Sequence, residues 1–217
     1  MYFDDHHFMS RVAAGLMIVL LGVLTSCGSA QPASSTNAGP SSAGLQGTNL
    51  GASAAPGFQL LDQHHQLTSL SQFHGLPVVL TFFYTHCPDY CPLIASKIHS
   101  ALVPLGSNSQ HVAIVAISAD PAGDTPAGVA TFSQEHQLQG YTHWHYLLGT
   151  RQVLSPIWAS YHVSGVPANA KQMGMSAMQH SAVIYIIDQQ GHERVLLDSD
   201  FAPTQLTQDL QLLLKGK

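Results

Sequence analysis

Two cysteines lie in the segment Thr85–Pro92 (THCPDYCP), directly after an apolar run that reads PVVLTFFY. Cysteine sulfurs can form a disulfide, act as redox nucleophiles or bind a soft metal ion. Residues four apart on a helical turn lie about 5–6 Å from each other, which suits both a disulfide and two thiolates on one ion. A helix N-terminus at this point would also favour the thiolate form. Cys87 and Cys91 are therefore the first candidates for a functional site.

A structural disulfide is the simplest alternative for this pair, because exported proteins often carry such bridges. A short loop at the end of a central strand gains little from a bridge in the chain-entropy picture, which favours a chemical role instead. Pro92 would clash in the interior of a helix that began at Pro88. The sequence therefore predicts a tight loop or single turn over Cys87–Cys91, and a helix that begins near Pro92.

The chain after Pro56 alternates between strand and helix patterns. Continuous apolar runs predict buried strands, and apolar periodicity of 3.6 residues predicts helices. We expect short extended pieces within residues 58–70, strands over 77–84, 111–118, 141–148, 181–188 and 193–197, and helices over 92–105, 125–137, 150–161 and 204–214. One face of the third helix is expected to carry Val153, Leu154, Ile157, Trp158 and Tyr161. Buried parallel strands with a late antiparallel hairpin predict a three-layer α/β domain.

Further motifs accompany the cysteines, namely Asp120-Pro121, Asp124-Thr125-Pro126 and His180-Ser181 at the start of a late strand. Together with CPDYCP, these motifs resemble the Sco/SenC family from Pro56 to about Leu214. The resemblance implies a thioredoxin-like fold with a mixed central sheet and helices on both faces. It also implies that Cys87, Cys91 and His180 bind copper, as Cu(I) or Cu(II).

The function implied by the resemblance is copper delivery in cytochrome c oxidase assembly. The expected partners are the copper-bearing subunit of the oxidase or another copper chaperone. Two thiolates suit Cu(I), and an imidazole lets the same site hold Cu(II). Because the thiols must be reduced to bind, their redox state controls metal loading. The family often has Asp before the histidine, whereas this chain has Gln179, so an acidic outer partner is expected to be missing there.

The N-terminal residues have the pattern of an export signal. The apolar run Val12–Leu24 covers 13 residues, which is too short to span a bilayer and typical of a signal-peptide core. The run ends in Leu-Thr-Ser-Cys27, which resembles a lipobox; the alternative is a simple cleavage site with an incidental cysteine. We expect residues 1–26 to be the signal, with translation starting at Met1 or Met9, and Cys27 to be lipidated.

The predicted domain organisation follows from this signal. Residues 27–55 are uncharged and rich in Gly, Ala and Ser, which predicts a flexible lipidated tether. Residues 56–217 form the expected copper-binding domain. The protein is therefore predicted to lie outside the cytoplasm, anchored to the cell membrane through lipid.

The composition excludes two classes of protein. Lys and Arg number 7 against 12 Asp and Glu, with a net charge of −5, so no basic patch for nucleic acid can form. A multi-span membrane protein is excluded because no segment reaches the roughly 20 apolar residues that a spanning helix needs.

Several weaker candidates accompany the cysteine pair. Met173, Met175 and Met178 precede His180, and their thioether sulfurs either dock copper transiently or fill gaps around a loop. His86 adjoins Cys87 and is a candidate to tune its thiol or to act as an occasional ligand. Strand alternation places His143 and His145 on one face, as a candidate second metal patch. Asp124 and Thr125 are interpreted as helix-cap residues before Pro126.

A thiol–disulfide oxidoreductase acting on the cysteines of a partner protein is the main alternative to a metallochaperone. Three residues separate the two cysteines, where thioredoxin-type enzymes have two, and His180 occupies the place where such enzymes carry a proline. A peroxidase stays open without specific support. A closed zinc site is disfavoured because only three ligands are visible. A metallochaperone rather than an enzyme is therefore the expected function, with Cys87 and Cys91 as a redox-active pair.

Overall fold

The computed structural model describes residues 44–167 and 182–216 of the chain. The strands are β1 Thr48–Asn49, β2 Gln59–Leu61, β3 Leu67–Ser69, β4 Val78–Phe83, β5 Ala113–Ser118, β6 Trp144–Leu147, β7 Val183–Ile187 and β8 Glu193–Asp198. The α-helices are α1 Tyr90–Leu102, α2 Pro126–Glu135, α3 Arg151–Ser160 and α4 Pro203–Lys215, and 3-10 segments cover Leu70–Phe73 and Val103–His111. None of the helices in these two parts of the chain has the length and apolar character needed to cross a bilayer.

Six strands form one mixed sheet in the order β1-β8-β7-β4-β5-β6, and β2 pairs with β3 in a separate hairpin. Strands β4, β5 and β6 are parallel, whereas β7, β8 and β1 add antiparallel pairs. Every residue of β4 and β5 is buried, as expected for strands that are covered on both faces. The mixed sheet confirms the predicted α/β class.

Helices cover both faces of this sheet. Phe82 and Phe83 are neighbours in β4, so their side chains point to opposite faces. The Phe82 ring packs against Tyr161, directly after α3, with centroids 5.6 Å apart. The Phe83 ring packs against Phe132 of α2 at 5.5 Å. This confirms the three-layer arrangement that the sequence and the family resemblance imply.

The helices test two details of the prediction. Helix α1 begins at Tyr90, which confirms the predicted start near Pro92 to within two residues. Pro92 lies in the first helical turn, where its missing N–H would have had no partner within the helix, so the clash expected of a helix that began at Pro88 is avoided. Val153 is 49% exposed, whereas Leu154 and Trp158 are buried. Its expected burial is wrong, because it lies about 100° around the helix from Leu154 and so at the margin of the apolar face.

Residues 44–55, here called the N-terminal strap, belong to the folded domain and not to the predicted tether. Strand β1 pairs with β8, and the N–H groups of Leu50 and Ala55 donate to the carbonyls of Arg194 and Gly191 at 3.0 and 2.9 Å. The predicted domain boundary at residue 56 is therefore corrected. The strap has few apolar residues and no strand periodicity, so its sequence resembles a linker; its order comes from pairing with β8 and from Leu45, Leu50 and Ala55, which pack against the core.

Two further contacts fasten the N-terminal strap. Gly47 has φ +88°, and a Cβ at this position would lie 2.7 Å from the carbonyl oxygen of Leu196, so only glycine permits this close approach. The Gln46 N–H donates to Oδ1 of Asp209 at 2.7 Å. Asp209 is fully buried, and its Oδ2 has no hydrogen-bond partner in the described part of the chain. Burial therefore raises the pKa of this carboxyl group to about 6.

An Asp209→Asn variant is expected to be more stable than the parent at neutral pH. The asparagine keeps an oxygen for the Gln46 N–H without burying a charge. The pKa of about 6 lies above the ordinary 3.8, so the parent loses stability as the pH rises from about 4 through 6. Urea unfolding at about pH 7.5 should show a gain of about 1–3 kcal/mol that shrinks at about pH 4.5. The exposed Asp200→Asn is the control; equal stability of parent and Asp209→Asn at the higher pH would contradict the prediction.

Candidate functional site

The cysteine motif forms the connection between β4 and α1. Cys87 lies in the loop, and Cys91 lies in the first turn of the helix. The Cys87 N–H donates to the carbonyl of Tyr84 at 3.2 Å, which closes a tight turn. The Cys91 N–H donates to Sγ of Cys87 at 3.3 Å. The turn therefore brings the two predicted site residues together, and both are free thiols.

The two thiols differ in acidity. The Cys91 thiol donates to the sulfur of Cys87 and is the main cause that lowers the pKa of Cys87 to about 6. Burial opposes this shift, while the N–H groups of Cys91 and Asp89 and the Tyr84 hydroxyl add to it. The pKa of Cys91 is raised, first by burial and then by the hydrogen bond and the negative charge of Cys87. Cys87 is thus the thiolate of the pair, and Cys91 is the thiol.

The hydroxyl of Tyr84 is a site group that the sequence analysis missed. Tyr84 is the last residue of the apolar run and is only 8% exposed. Its pKa is raised by burial, by its hydrogen bond to Cys87 and by the charge of that sulfur. The hydroxyl therefore stays protonated and donates to Cys87. The sequence offered one indication of this role, namely that the last residue of the predicted strand carries a hydroxyl group.

The carboxylate of Asp124 fastens the cysteine loop to the sheet. Its Oδ1 accepts from the N–H of Thr85 at 2.7 Å and from the Thr85 hydroxyl at 2.9 Å. Its Oδ2 accepts from the hydroxyls of Ser118 at 2.6 Å and Tyr146 at 2.9 Å. Thr85 follows β4, Ser118 ends β5, and Tyr146 lies in β6. One side chain therefore joins three parallel strands near the ends that face the cysteine loop.

This arrangement corrects the interpretation of the Asp-Thr-Pro motif. Thr125 is the cap of α2, because its hydroxyl accepts from the N–H of Gly128 at 3.1 Å. The cap role is wrong for Asp124, whose two oxygens face the sheet ends instead. Burial raises the pKa of Asp124, while its four hydrogen-bond donors act in the opposite direction. Asp120 lies in the preceding turn, where its side chain accepts from the N–H of Ala122 at 3.3 Å.

Part of the predicted site falls outside the described residues. The ligand His180, the lipidation site Cys27, and Met173, Met175 and Met178 lie outside residues 44–167 and 182–216. The roles expected of these residues stay predictions.

The described residues that flank 168–181 lie near the cysteine loop. The N–H of Val166 donates to the carbonyl of Ala119, and the N–H of Ala119 donates to the carbonyl of Phe83, both at 2.7 Å. On the other side, the carbonyl of Val183 accepts from the hydroxyl of Thr81 at 2.9 Å. Both flanks are therefore fixed near the end of β4 from which the loop leaves.

The other histidines singled out from the sequence contact different partners. Nδ1 of the exposed His86 lies 3.1 Å from the Thr85 hydroxyl. His145 Nδ1 lies 3.2 Å from Oδ2 of Asp62, which is only 2% exposed. Within residues 44–167 and 182–216, no three His, Cys, Asp or Glu side chains form a group that could hold a metal ion. A second metal patch at His143 and His145 therefore has no third ligand in this part of the chain.

The comparisons with known proteins agree on one family. The sequence model of the SCO1/SenC family matches residues 46–215. An SCO2-like protein of Rickettsia prowazekii is 26% identical over 135 residues, which cover 62% of this chain and 64% of that protein. The mitochondrial SCO2 homolog of Bos taurus is 30% identical over 140 residues, covering 62% of this chain and 50% of that protein. The chain thus spans between half and two thirds of the length of these curated relatives.

A solved structure agrees with the sequence comparisons. Bradyrhizobium japonicum ScoI with copper bound is 29% identical, has a TM-score of 0.61, and is matched over 74% of this chain and 99% of that chain. The family match begins at residue 46, inside the N-terminal strap, which supports the corrected domain boundary. It also includes the cysteine loop and Asp124. The chain therefore belongs to the SCO1/SenC family.

Proposed function

We propose that this protein is a copper metallochaperone, which holds copper as cargo between Cys87, Cys91 and His180 and delivers it to the copper-bearing subunit of cytochrome c oxidase. The observation that carries the proposal is the pair of free thiols at the end of a buried strand. Sulfur ligands suit Cu(I). The lowered pKa of Cys87 supplies one thiolate at neutral pH, and metal ligands of this kind must be deprotonated.

The surroundings of the pair support the choice of a soft metal ion. Cys87 and Cys91 are 6% and 1% exposed, so an ion held between them would be shielded from water. Ala182, two residues after His180, is buried, and Val183 begins β7 beside β4. The described chain after His180 therefore resumes at the end of the sheet where the cysteine loop lies. The copper-bound ScoI structure supports copper over other soft ions.

Titration of the reduced, oxygen-free protein with Cu(I) against a competing chelator is expected to show tight one-to-one binding. Cys87→Ser and Cys91→Ser should each abolish it, because each removes a thiolate ligand. His180→Ala should weaken binding by at least about tenfold, by analogy with losses at metal sites. His86→Ala is the matched control, because this exposed imidazole adjoins Cys87 without a ligand role. Binding that ignores His180 would refute the ligand set, and absence of binding would refute the function.

The unequal acidity of the two thiols favours a second function, thiol–disulfide exchange with a partner protein. The Cys87 thiolate would attack a partner disulfide, form a mixed disulfide and release one partner thiolate. Cys91 would then lose its proton and attack the Cys87 sulfur, which releases the second partner thiolate and leaves a Cys87–Cys91 disulfide. The partner gains two electrons and the cysteine pair loses two. A low-pKa attacking thiol and a buried second thiol are the groups that this sequence of steps requires.

The alkylation rate of Cys87 with iodoacetamide is expected to rise with pH around a midpoint of about 6, well below the ordinary value of about 8.5. Cys91 should stay unmodified at neutral pH, because its pKa is raised and it is buried. Tyr84→Phe should move the Cys87 midpoint to higher pH by removing a hydrogen bond to the thiolate, whereas the neighbouring Tyr90→Phe should not. Peptide mass spectrometry identifies the modified cysteine. Equal alkylation of both cysteines would contradict this assignment.

We propose further that Cys27 is lipidated and holds the protein on the outer side of the cell membrane. This part of the proposal is supported by the lipobox-like Leu24–Cys27 segment. Cys27→Ser is expected to move the protein from the membrane fraction to the soluble fraction, whereas Cys87→Ser should leave it membrane-bound. Mass spectrometry of the mature N-terminal peptide tests the lipid directly. A parent protein without lipid at Cys27 would refute the anchor and leave the copper proposal intact.

A further inference from the structure

We propose that Asp124 is the positioning residue of the thiol pair: through Thr85 it holds the loop that carries Cys87, and so sets how tightly the pair binds copper and how readily it closes to a disulfide. The copper part of this inference rests on the proposed function, whereas the disulfide part does not.

Asp124 holds Thr85 by both its backbone and its side chain. Two donors of Thr85, the N–H at 2.7 Å and the hydroxyl at 2.9 Å, bind one carboxylate oxygen. Backbone and side chain of Thr85 are therefore fixed together. Cys87 follows two residues after Thr85, and its N–H donates to the carbonyl of Tyr84. The turn that orients the reactive sulfur thus begins at the residue that Asp124 holds.

The other oxygen of Asp124, Oδ2, is anchored by two buried hydroxyl groups. Ser118 and Tyr146 are both fully buried, and both hydroxyls donate to Oδ2 of Asp124. An ionised carboxylate only accepts hydrogen bonds, whereas the amide of asparagine would present two donors on one side. In an Asp124→Asn variant, the N–H₂ group would therefore face groups that donate to the carboxylate in the parent protein, and donor would meet donor. Hydrogen bonds to a charged acceptor are also stronger than neutral ones, so the carboxylate is the group that this cluster requires.

The contacts of Asp124 are separate from the cap that stabilises α2. The helix is capped by Thr125, so Asp124 is free to bind the sheet ends. Two adjacent residues therefore have different tasks, and they can be changed independently. A Thr125→Ala variant removes a helix cap, which typically costs about 1 kcal/mol, and leaves the contacts of Asp124 in place. It is the matched control for a destabilised protein whose loop is still held.

The experiment compares Asp124→Asn, Ser118→Ala and Thr125→Ala with the parent in two measurements. The first is Cu(I) affinity by chelator competition. The second, without metal, is the equilibrium of the dithiol with glutathione disulfide, which yields the Cys87–Cys91 disulfide and two glutathione thiols. Asp124→Asn is expected to weaken Cu(I) binding about 10–100-fold. It should lower the equilibrium constant for disulfide formation about tenfold, because a loose loop lowers the effective concentration of one sulfur at the other.

The controls decide between positioning and general stability. Thr125→Ala is expected to lower the melting temperature while changing both constants by less than about twofold. If both constants instead change as much in Thr125→Ala as in Asp124→Asn, the positioning role is overturned. It is also overturned if Asp124→Asn folds and leaves both constants unchanged. Should Asp124→Asn fail to fold, Ser118→Ala must shift both constants in the same direction by a smaller factor, and no shift would refute the proposal.

The two measurements also separate this inference from the proposed function. If the parent binds no copper but Asp124→Asn still shifts the glutathione equilibrium, the metallochaperone proposal fails and the positioning of the thiol pair is supported. If the parent binds copper and only the glutathione equilibrium is insensitive to Asp124, the positioning role is refuted and the copper function stands.

Discussion

The carboxylate of Asp124 is the contact on which the arrangement of the cysteine loop depends. Three parallel strands end side by side, and the loop after β4 has to turn at once into a helix. Asp124 joins these ends through four hydrogen bonds to Thr85, Ser118 and Tyr146. Without an acceptor the buried hydroxyls would be left unpaired, at about 1–3 kcal/mol each. The geometry of the thiol pair is therefore tied to the stability of the sheet ends.

The two thiols are chemically identical, so the difference between their pKa values follows from their positions in the fold. Cys87 lies in the loop, where the Cys91 thiol, N–H groups at the start of α1 and the Tyr84 hydroxyl donate to it, whereas Cys91 is buried in the first helical turn. One negative charge is stabilised there, and a second is opposed by the first. A bound metal ion would supply the charge that makes two thiolates tolerable. The same geometry thus leaves a single reactive thiolate when metal is absent, which is why redox and copper chemistry both fit this site.

The sequence predicts those features that local patterns determine. Strands β4 and β5 are continuous apolar runs, and the cysteine spacing identifies the thiol pair. Long-range contacts decide the features that were missed. The Asp-Thr-Pro motif does not show which residue caps α2, because the partners of Asp124 lie 6, 22 and 39 residues away. The N-terminal strap looks like a linker, because its order depends on β8 and Asp209. The hydroxyl of Tyr84 gives no periodic signal.

Hydrogen bonds connect the loop that carries Cys87 to the edge strand of the sheet. Tyr146 belongs to the edge strand β6, where its N–H would lack a strand partner. The side-chain amide of Gln63 takes that place, accepting from the Tyr146 N–H at 2.7 Å and donating to the carbonyl of Trp144 at 3.1 Å. Tyr146 is thus held by its backbone at the edge and by its hydroxyl at Asp124. Because Asp124 in turn holds Thr85, a continuous series of hydrogen bonds links the cysteine loop to the turn that contains Gln63. The position of a site at the strand ends therefore depends on how the edge strand β6 is held. Here the side chain of Gln63 makes two backbone hydrogen bonds that a further strand would otherwise make.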